Sequence, residues 1–335
     1  MAVAKVFKLV KRFDGLPKED DFNLVEEELA SPKEGEVLCK TIYLTVDPYM
    51  RVYVAALPLG ITMIGEVLAR VTESKSPDFK EGDLVASRQG WSSAFLATSD
   101  KLEKITHLPE GVPESLALGC LGMPGRTAYF GLLDVAGPVK SGETVLVNGA
   151  AGAVGTVVGQ IAKIKGCRVI GYAGSDKKVE MLKSLGFDEA FNYKTVDLDE
   201  SLSKAAPKGV NIYFDNVGGE FSDTVLTKHM CLFGRVPICG CISQYNKKGN
   251  EHGLFPYSEG KMLYGSILGK QLKVQGFIVT TFNDKKKEAN EQLAEWLKEG
   301  KLKYKETVTE GFENTPKAFI GLLTGENFGK AVVKV

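Results

Sequence analysis

Two hydrophobic rhythms follow one another along the chain. Over residues 5–105 the apolar positions form short runs at 5–10, 36–44, 65–71, 83–87 and 94–97, separated by Pro- and Gly-rich punctuation at 32–35, 58–60, 77–82 and 109–111. Such runs predict strands, because Pro and Gly end a ladder and begin a turn. The lead segment therefore reads as mostly β and barrel-like. From Met123 the rhythm becomes strand, tight turn, helix. Strands are predicted at 143–148, 168–172, 190–193, 211–216 and 234–239, with helices at 153–165, 176–185, 198–205 and 220–227. Parallel neighbours need a crossover helix, so this alternation predicts a doubly wound parallel sheet. A polar loop over 243–259 interrupts the pattern before a strand at 272–279. The helix predicted at 285–299 carries Ala289, Leu293, Trp296 and Leu297 on one face. A last strand, 331–335, lies far beyond the sheet and is expected to return to the N-terminal β domain, making that domain discontinuous.

Length and charge narrow the function. At ~100–200 residues per domain, 335 residues make about two domains. The 44% hydrophobic content and zero net charge, 42 basic against 42 acidic residues, exclude a disordered chain. They also argue against nucleic acid as a partner, since phosphate-holding domains are usually strongly basic. No apolar run is long enough for a membrane span and none resembles a signal peptide, so the expected compartment is the cytoplasm. Six cysteines, Cys39, Cys120, Cys167, Cys231, Cys239 and Cys241, are too scattered for a disulfide framework and lack zinc-ligand spacing. No metal is expected, and the three histidines, His107, His229 and His252, read as exposed residues rather than ligands.

The strongest local signal is Gly149-Ala-Ala-Gly152-Ala-Val-Gly155, set between an apolar strand and a helix. Glycines there let the backbone turn tightly and approach a pyrophosphate, which the helix N-terminus attracts. A second strand about twenty residues on completes the dinucleotide pattern. That strand ends Tyr172-Ala-Gly-Ser175 followed by Asp176, Lys177 and Lys178, so small residues occupy the position where an NAD-binder places its carboxylate. Lys178 suits a 2′-phosphate and Tyr193 suits the adenosine side, which favours NADPH over NADH; Asp176 is alternatively an N-cap or a ribose ligand. Asn216 and Cys239 end the fourth and fifth strands, where open α/β sheets bind ligands. Asp215 and Asn216 read equally well as turn formers before Gly218 and Gly219.

Longer phrases carry a family resemblance: Leu44-Thr-Val-Asp-Pro-Tyr-Met-Arg51, Gly122-Met-Pro-Gly125, Asn148 to Gly155, Tyr213-Phe-Asp-Asn-Val-Gly-Gly-Glu220 and Gly240-Cys-Ile-Ser-Gln-Tyr-Asn246. Together they resemble the prostaglandin reductase, or leukotriene B4 12-hydroxydehydrogenase, group of the zinc-independent medium-chain dehydrogenase/reductase superfamily. The resemblance implies an α/β protein, a GroES-like β domain (1–124 and 312–335) plus a Rossmann doubly wound parallel sheet (125–311). It implies NADPH/NADP⁺-dependent reduction of the carbon–carbon double bond of α,β-unsaturated ketones and aldehydes, including 15-oxoprostaglandins and alkenals, with oxidation of leukotriene B4 in some members. Lipid enones and enals are the implied substrates, and a homodimer the implied assembly.

By the same resemblance the cofactor falls to Asn148, Gly152, Ala153, Val154, Gly155, Ser175, Lys178, Tyr193, Asn216, the run Cys239, Gly240, Cys241, Ile242, Ser243, Gln244 and Tyr245, the strand residues Phe277, Ile278 and Val279, and Asn327. Zinc-dependent members carry a Gly-His-Glu segment where this chain has Met63-Ile-Gly-Glu66, so hydrogen bonds must stabilise the substrate oxygen. Candidate donors are Tyr257, the first choice, with Tyr49, Tyr245 and Tyr264; Arg51 is a candidate for a fatty-acid carboxylate. Each Tyr is equally readable as a packing residue. A quinone reductase and a non-catalytic NADPH-binding protein remain as alternatives.

Overall fold

The computed structural model describes residues 2–247 and 263–335. Six described strands, Thr144–Val147 (β1), Arg168–Ala173 (β2), Glu189–Asn192 (β3), Val210–Phe214 (β4), Met230–Ile238 (β5) and Lys273–Gly276 (β6), form a parallel sheet in the order 3-2-1-4-5-6. Both faces are covered, which explains the unbroken apolar character of β1. Successive side chains in a strand point to opposite faces. Accordingly Val145, Val147, Ile212 and Phe214 join the core beneath the helix Ala153–Ile164 (α1), while Leu146, Ile170, Tyr172 and Tyr213 join the core on the other side. This is the doubly wound fold, with its switch point between β1 and β4.

Around it the ends of the chain build a second unit. The strand Glu36–Thr45 pairs antiparallel with Val67–Ser74 along one edge, and along the other with Ala94–Thr98 at its start and Lys330–Lys334 at its end. The sheet so formed has seven strands among the described residues, and Ala2–Leu9 with Phe22–Leu29 makes a separate hairpin. Trp91 is fully buried at the centre of an aromatic cluster with Phe7, Phe22 and Phe319, the last contributed by the helix Thr315–Thr324. The segment leading into Lys330–Lys334 crosses to the nucleotide unit, where the Gly329 N–H donates to the Ala151 carbonyl at 2.8 Å. Only glycine fits at 329: its φ is 64° and a Cβ would stand 2.0 Å from the Lys305 carbonyl oxygen.

Two expectations are corrected. The strand expected over 272–279 stops at Gly276, because β5, its partner, ends at Ile238 in register with Gly276; Val279 instead begins the 3-10 segment Val279–Lys285. His229 is buried rather than exposed, with Nε2 2.7 Å from the Asp199 carboxylate, and His107 is half-buried against the Leu121 carbonyl at 2.9 Å. His252 lies outside the described residues. No described helix is long and apolar enough to cross a membrane.

Candidate active site

The glycine loop leaves β1 and turns at once into α1. At Gly155 a Cβ would stand 2.6 Å from the Gly149 carbonyl oxygen and 2.7 Å from the Ala150 Cα, so the helix can approach the loop this closely only with glycine there. Gly152 is the N-cap and supplies no side-chain acceptor. The first-turn N–H groups, at the half-buried Ala153 and Val154, therefore face the strand ends with the positive end of the helix dipole behind them. The shape and charge fit a pyrophosphate.

Past β2, Gly174 and Ser175 lead into the helix Asp176–Ser184 (α2). Ser175 is the N-cap, accepting from the Lys178 N–H at 3.4 Å, while Asp176 accepts from the Asn192 amide at 2.8 Å. That settles the two roles open for Asp176 against capping. Lys178 is only 9% exposed; its ammonium donates to the Gly325 carbonyl at 2.7 Å and lies 5.6 Å from the Phe328 ring centroid. Burial, followed by the neighbouring Lys194 charge, lowers its pKa. Tyr193 is exposed, with its hydroxyl 3.2 Å from where a Gly174 Cβ would sit. Small residues at the end of β2 are thus followed by a lysine on α2 and face an open aromatic ring, while the nearby Asp176 carboxylate is taken by Asn192.

The ends of β1 and β4 are tied by a buried polar network. Asn148 donates to the Tyr213 hydroxyl at 2.5 Å and the Asp215 carboxylate at 2.8 Å, and its own side-chain oxygen accepts from the Asn216 N–H at 2.7 Å. Asp215 also accepts from Val217 and Gly218 N–H and from the Ser222 hydroxyl. Its carboxylate therefore shapes the turn, and Asn148 positions Asn216, whose amide donates back to the Asn148 carbonyl at 2.9 Å.

The run after β5 folds over that turn. Cys239 and Gly240 donate their N–H groups to the Asp215 carbonyl, Ile242 to that of Asn216, and Ser243 to that of Val217, the Ser243 hydroxyl adding 2.7 Å to the same oxygen. Gln244 is buried and donates to the Ser243 hydroxyl at 3.0 Å. Tyr245 is buried with its hydroxyl accepting from the Cys241 N–H at 3.3 Å. Burial and the Asp215 charge push the Cys239 thiol up to about 12 and raise Cys241 as well, so both stay protonated near neutrality. Phe277 packs edge-on against Phe214, Ile278 is exposed, and Val279 is half-buried.

On the β-domain side the segment beginning at Asp47 carries Tyr49 and Arg51 on a short helix, Tyr49–Tyr53. Tyr49 is half-buried against Tyr53; burial, then the charges of Asp47 and Glu66, raises its pKa well above that of a free phenol. Arg51 departs from the free cation expected for a substrate carboxylate. It is buried over the Phe13 ring, donates to the Gly15 carbonyl at 3.0 Å, and reaches the Asn246 side chain at 3.2 Å, joining the two units. Tyr264 is 67% exposed at the start of the helix Tyr264–Gly269, and Tyr257 lies outside the described residues. Asn327 is buried and donates to the Gly329 carbonyl at 2.7 Å, which shapes the segment against the glycine loop.

One pair has no local signature. Lys330, 3% exposed, donates to Asp47, 6% exposed, at 2.5 Å and to the Val46 carbonyl at 3.1 Å. The partners lie at opposite ends of the chain, and only the return of the strand Lys330–Lys334 brings them together. Among the described residues no cluster of His, Cys, Asp and Glu could hold a metal ion.

Comparison with known proteins agrees with this layout. A family model described as the N-terminal domain of an oxidoreductase matches residues 5–105, and one described as a zinc-binding dehydrogenase matches residues 153–299. Prostaglandin reductase 1 of Bos taurus is 53% identical over 337 residues, covering 100% of both chains. A 2-alkenal reductase (NADP(+)-dependent) of Nicotiana tabacum is 42% identical, over 96% of this chain and 94% of its own. The crystal structure of CurA in complex with NADPH from Vibrio vulnificus superposes with a TM-score of 0.89 at 40% identity, covering 99% of each chain.

Proposed function

We infer the activity from one premise: this chain belongs to the prostaglandin reductase branch of the medium-chain dehydrogenase/reductase superfamily. It is an NADPH-dependent oxidoreductase that reduces the carbon–carbon double bond of α,β-unsaturated ketones and aldehydes. The observation that carries this reading is the buried Lys178 on the first turn of α2, just past the end of β2, where small residues stand in place of the carboxylate that would select the unphosphorylated cofactor.

The glycine loop and the first turn of α1 would hold the pyrophosphate, Lys178 and Tyr193 the adenosine 2′-phosphate side, and the run 239–245 with Phe277, Ile278 and Asn327 the nicotinamide side. Ser175 caps the helix that presents Lys178, and Asn148 acts by positioning Asn216. NADPH, when bound, would supply the hydride that reduces the β-carbon of the enone, the displaced electron pair going to the carbonyl oxygen and a proton to the α-carbon. A neutral phenol suits the oxygen, since it stays a donor while negative charge develops. Tyr257 is the first candidate, with Tyr49, Tyr245 and Tyr264 after it. The raised pKa values of Tyr49 and Tyr245 support their being protonated donors near neutrality. Arg51 serves by holding the segment that carries Tyr49 against Asn246.

Residues 1–124 with 312–335 form the substrate-holding unit and 125–311 the cofactor unit, a division supported by the pairing of Lys330–Lys334 with Glu36–Thr45. The substrates are lipid enones and enals, with oxidation of the leukotriene B4 hydroxyl by NADP⁺ as a separate candidate reaction. The compartment is the cytoplasm, supported by six free cysteines. The chain acts as a homodimer, supported by β6 being an edge strand among the described residues and by exposed Leu232, Phe233, Tyr264 and Leu268 on β5 and the helix before β6.

The test follows NADPH oxidation in parallel with 15-oxoprostaglandin E2, trans-2-nonenal and a benzoquinone. Turnover of the first two with a saturated product is the expected result. Turnover of the quinone alone would assign a quinone reductase, and cofactor binding with no turnover would assign a non-catalytic binder.

A further inference from the structure

The segment 325–330 touches three places that matter to the reaction. At its start the Gly325 carbonyl and the Phe328 ring hold the Lys178 ammonium. In its middle Gly329 is bonded to Ala151 of the glycine loop. At its end Lys330 fixes Val46 and Asp47, the two residues before Pro48 and Tyr49. We propose that this strap carries occupancy of the 2′-phosphate site to the substrate segment, with Lys330 as its positioning residue, so that recognition of the phosphate raises affinity for the enone. The proposal rests on the reading of Lys178 as the 2′-phosphate ligand.

Two physical points support it. An ammonium has three donors, so Lys178 can hold Gly325 and a phosphate oxygen together; an anion there clamps the strap instead of releasing it. And a fully buried ion pair is poor value as a stabiliser, because desolvating both charges offsets most of their attraction and apolar replacements are often as stable. Such a pair is worth retaining where geometry matters, and the geometry it fixes is the entry to the Tyr49–Tyr53 helix.

Adenosine 2′,5′-bisphosphate separates this route from direct contact, since it fills the phosphate site but has no nicotinamide ring to touch the substrate. The experiment titrates 4-phenylbut-3-en-2-one calorimetrically into the full chain, alone, saturated with the bisphosphate, and saturated with 5′-AMP. The bisphosphate is expected to tighten enone binding by about fivefold or more, the lower end of ordinary site-to-site coupling, and 5′-AMP to leave it unchanged. In the double variant Asp47→Leu/Lys330→Met, the bisphosphate should bind as in the parent and the melting temperature should hold within a few degrees, while the tightening disappears. Should that variant fail to fold, Asp47→Asn/Lys330→Met is measured in its place with the same expectation. Unchanged enone affinity in the parent, or full tightening in the variant, overturns the strap. If the bisphosphate binds no more tightly than 5′-AMP, the reading of Lys178 falls and this proposal with it.

Discussion

Replacing Lys178 by Gln removes the charge and shortens the side chain by one bond. The amide remains a donor toward the Gly325 carbonyl, and the hydrogen bond from Gly329 to Ala151 and the Lys330–Asp47 pair still hold the strap. What is lost is the ammonium opposite the 2′-phosphate. A hydrogen bond to a charged group contributes roughly 1.5–3 kcal/mol, and at about 1.36 kcal/mol per decade this predicts a roughly 12- to 160-fold rise in KM for NADPH. The upper half of that range is expected, because Lys178 is only 9% exposed and water screens its charge weakly. NADH lacks the phosphate, so its KM should stay within about twofold and the preference between cofactors should collapse by the full factor. Initial rates of enone reduction, followed by the absorbance of the reduced nicotinamide with each cofactor, measure both quantities. A parallel rise for NADPH and NADH would mean that Lys178 only braces the strap, and an unchanged KM for NADPH would refute its role outright.

Gly155→Ala places a Cβ against the Gly149 and Ala150 backbone of the glycine loop; the loop must open, and NADP⁺ affinity measured by calorimetry should fall by at least about tenfold, a cost of ~1.4 kcal/mol or more, with parent-like affinity as the contrary result. His229→Gln tests a pH effect. Burial lowers the folded-state pKa of His229 against the pull of Asp199, so below roughly pH 6.5 the unfolded chain takes up a proton that the folded chain resists, and stability falls as pH drops. The variant should flatten the fall in urea-derived stability between roughly pH 7 and 5, and equal slopes would reject this assignment. Phe233→Asn/Leu268→Glu puts polar groups on the apolar margin beside β6; Asn tolerates the left-handed backbone of Phe233, at φ 60°. Sedimentation is expected to report a dimer for the parent and a monomer for the variant, and equal masses would remove that face from any assembly.

The nucleotide unit was legible because two periodicities coincide there. Apolar strands such as β1 cannot be polar on either face, and the glycine spacing 149, 152, 155 marks the first crossover, so the sheet could be laid out in advance. The strand Phe22–Leu29 was not legible: its Glu26-Glu27-Glu28 run faces solvent in an outer hairpin, and alternation vanishes when only one neighbour needs covering. Glu306–Glu310, polar at four of its five positions, escaped for the same reason. In the site, backbone donors and glycines follow from motif spacing. The Lys330–Asp47 pair and the Arg51–Asn246 link do not, because contacts across the whole chain leave no local trace and long-range pairing is set by topology alone.

The late return of Lys330–Lys334 also bears on how the protein is made. Every strand of the nucleotide sheet leaves the ribosome before this one, and domains generally fold as units as they emerge. The parallel sheet of the cofactor unit can therefore be complete while Tyr43–Thr45, the end of a strand synthesised far earlier, still lacks the neighbour that Lys330–Lys334 will supply. That exposed edge invites wrong pairing until the last strand arrives. Nascent chains halted before residue 330 should hold NADPH poorly, since Gly329 and Asn327 are missing their place, and should be the species that chaperones meet.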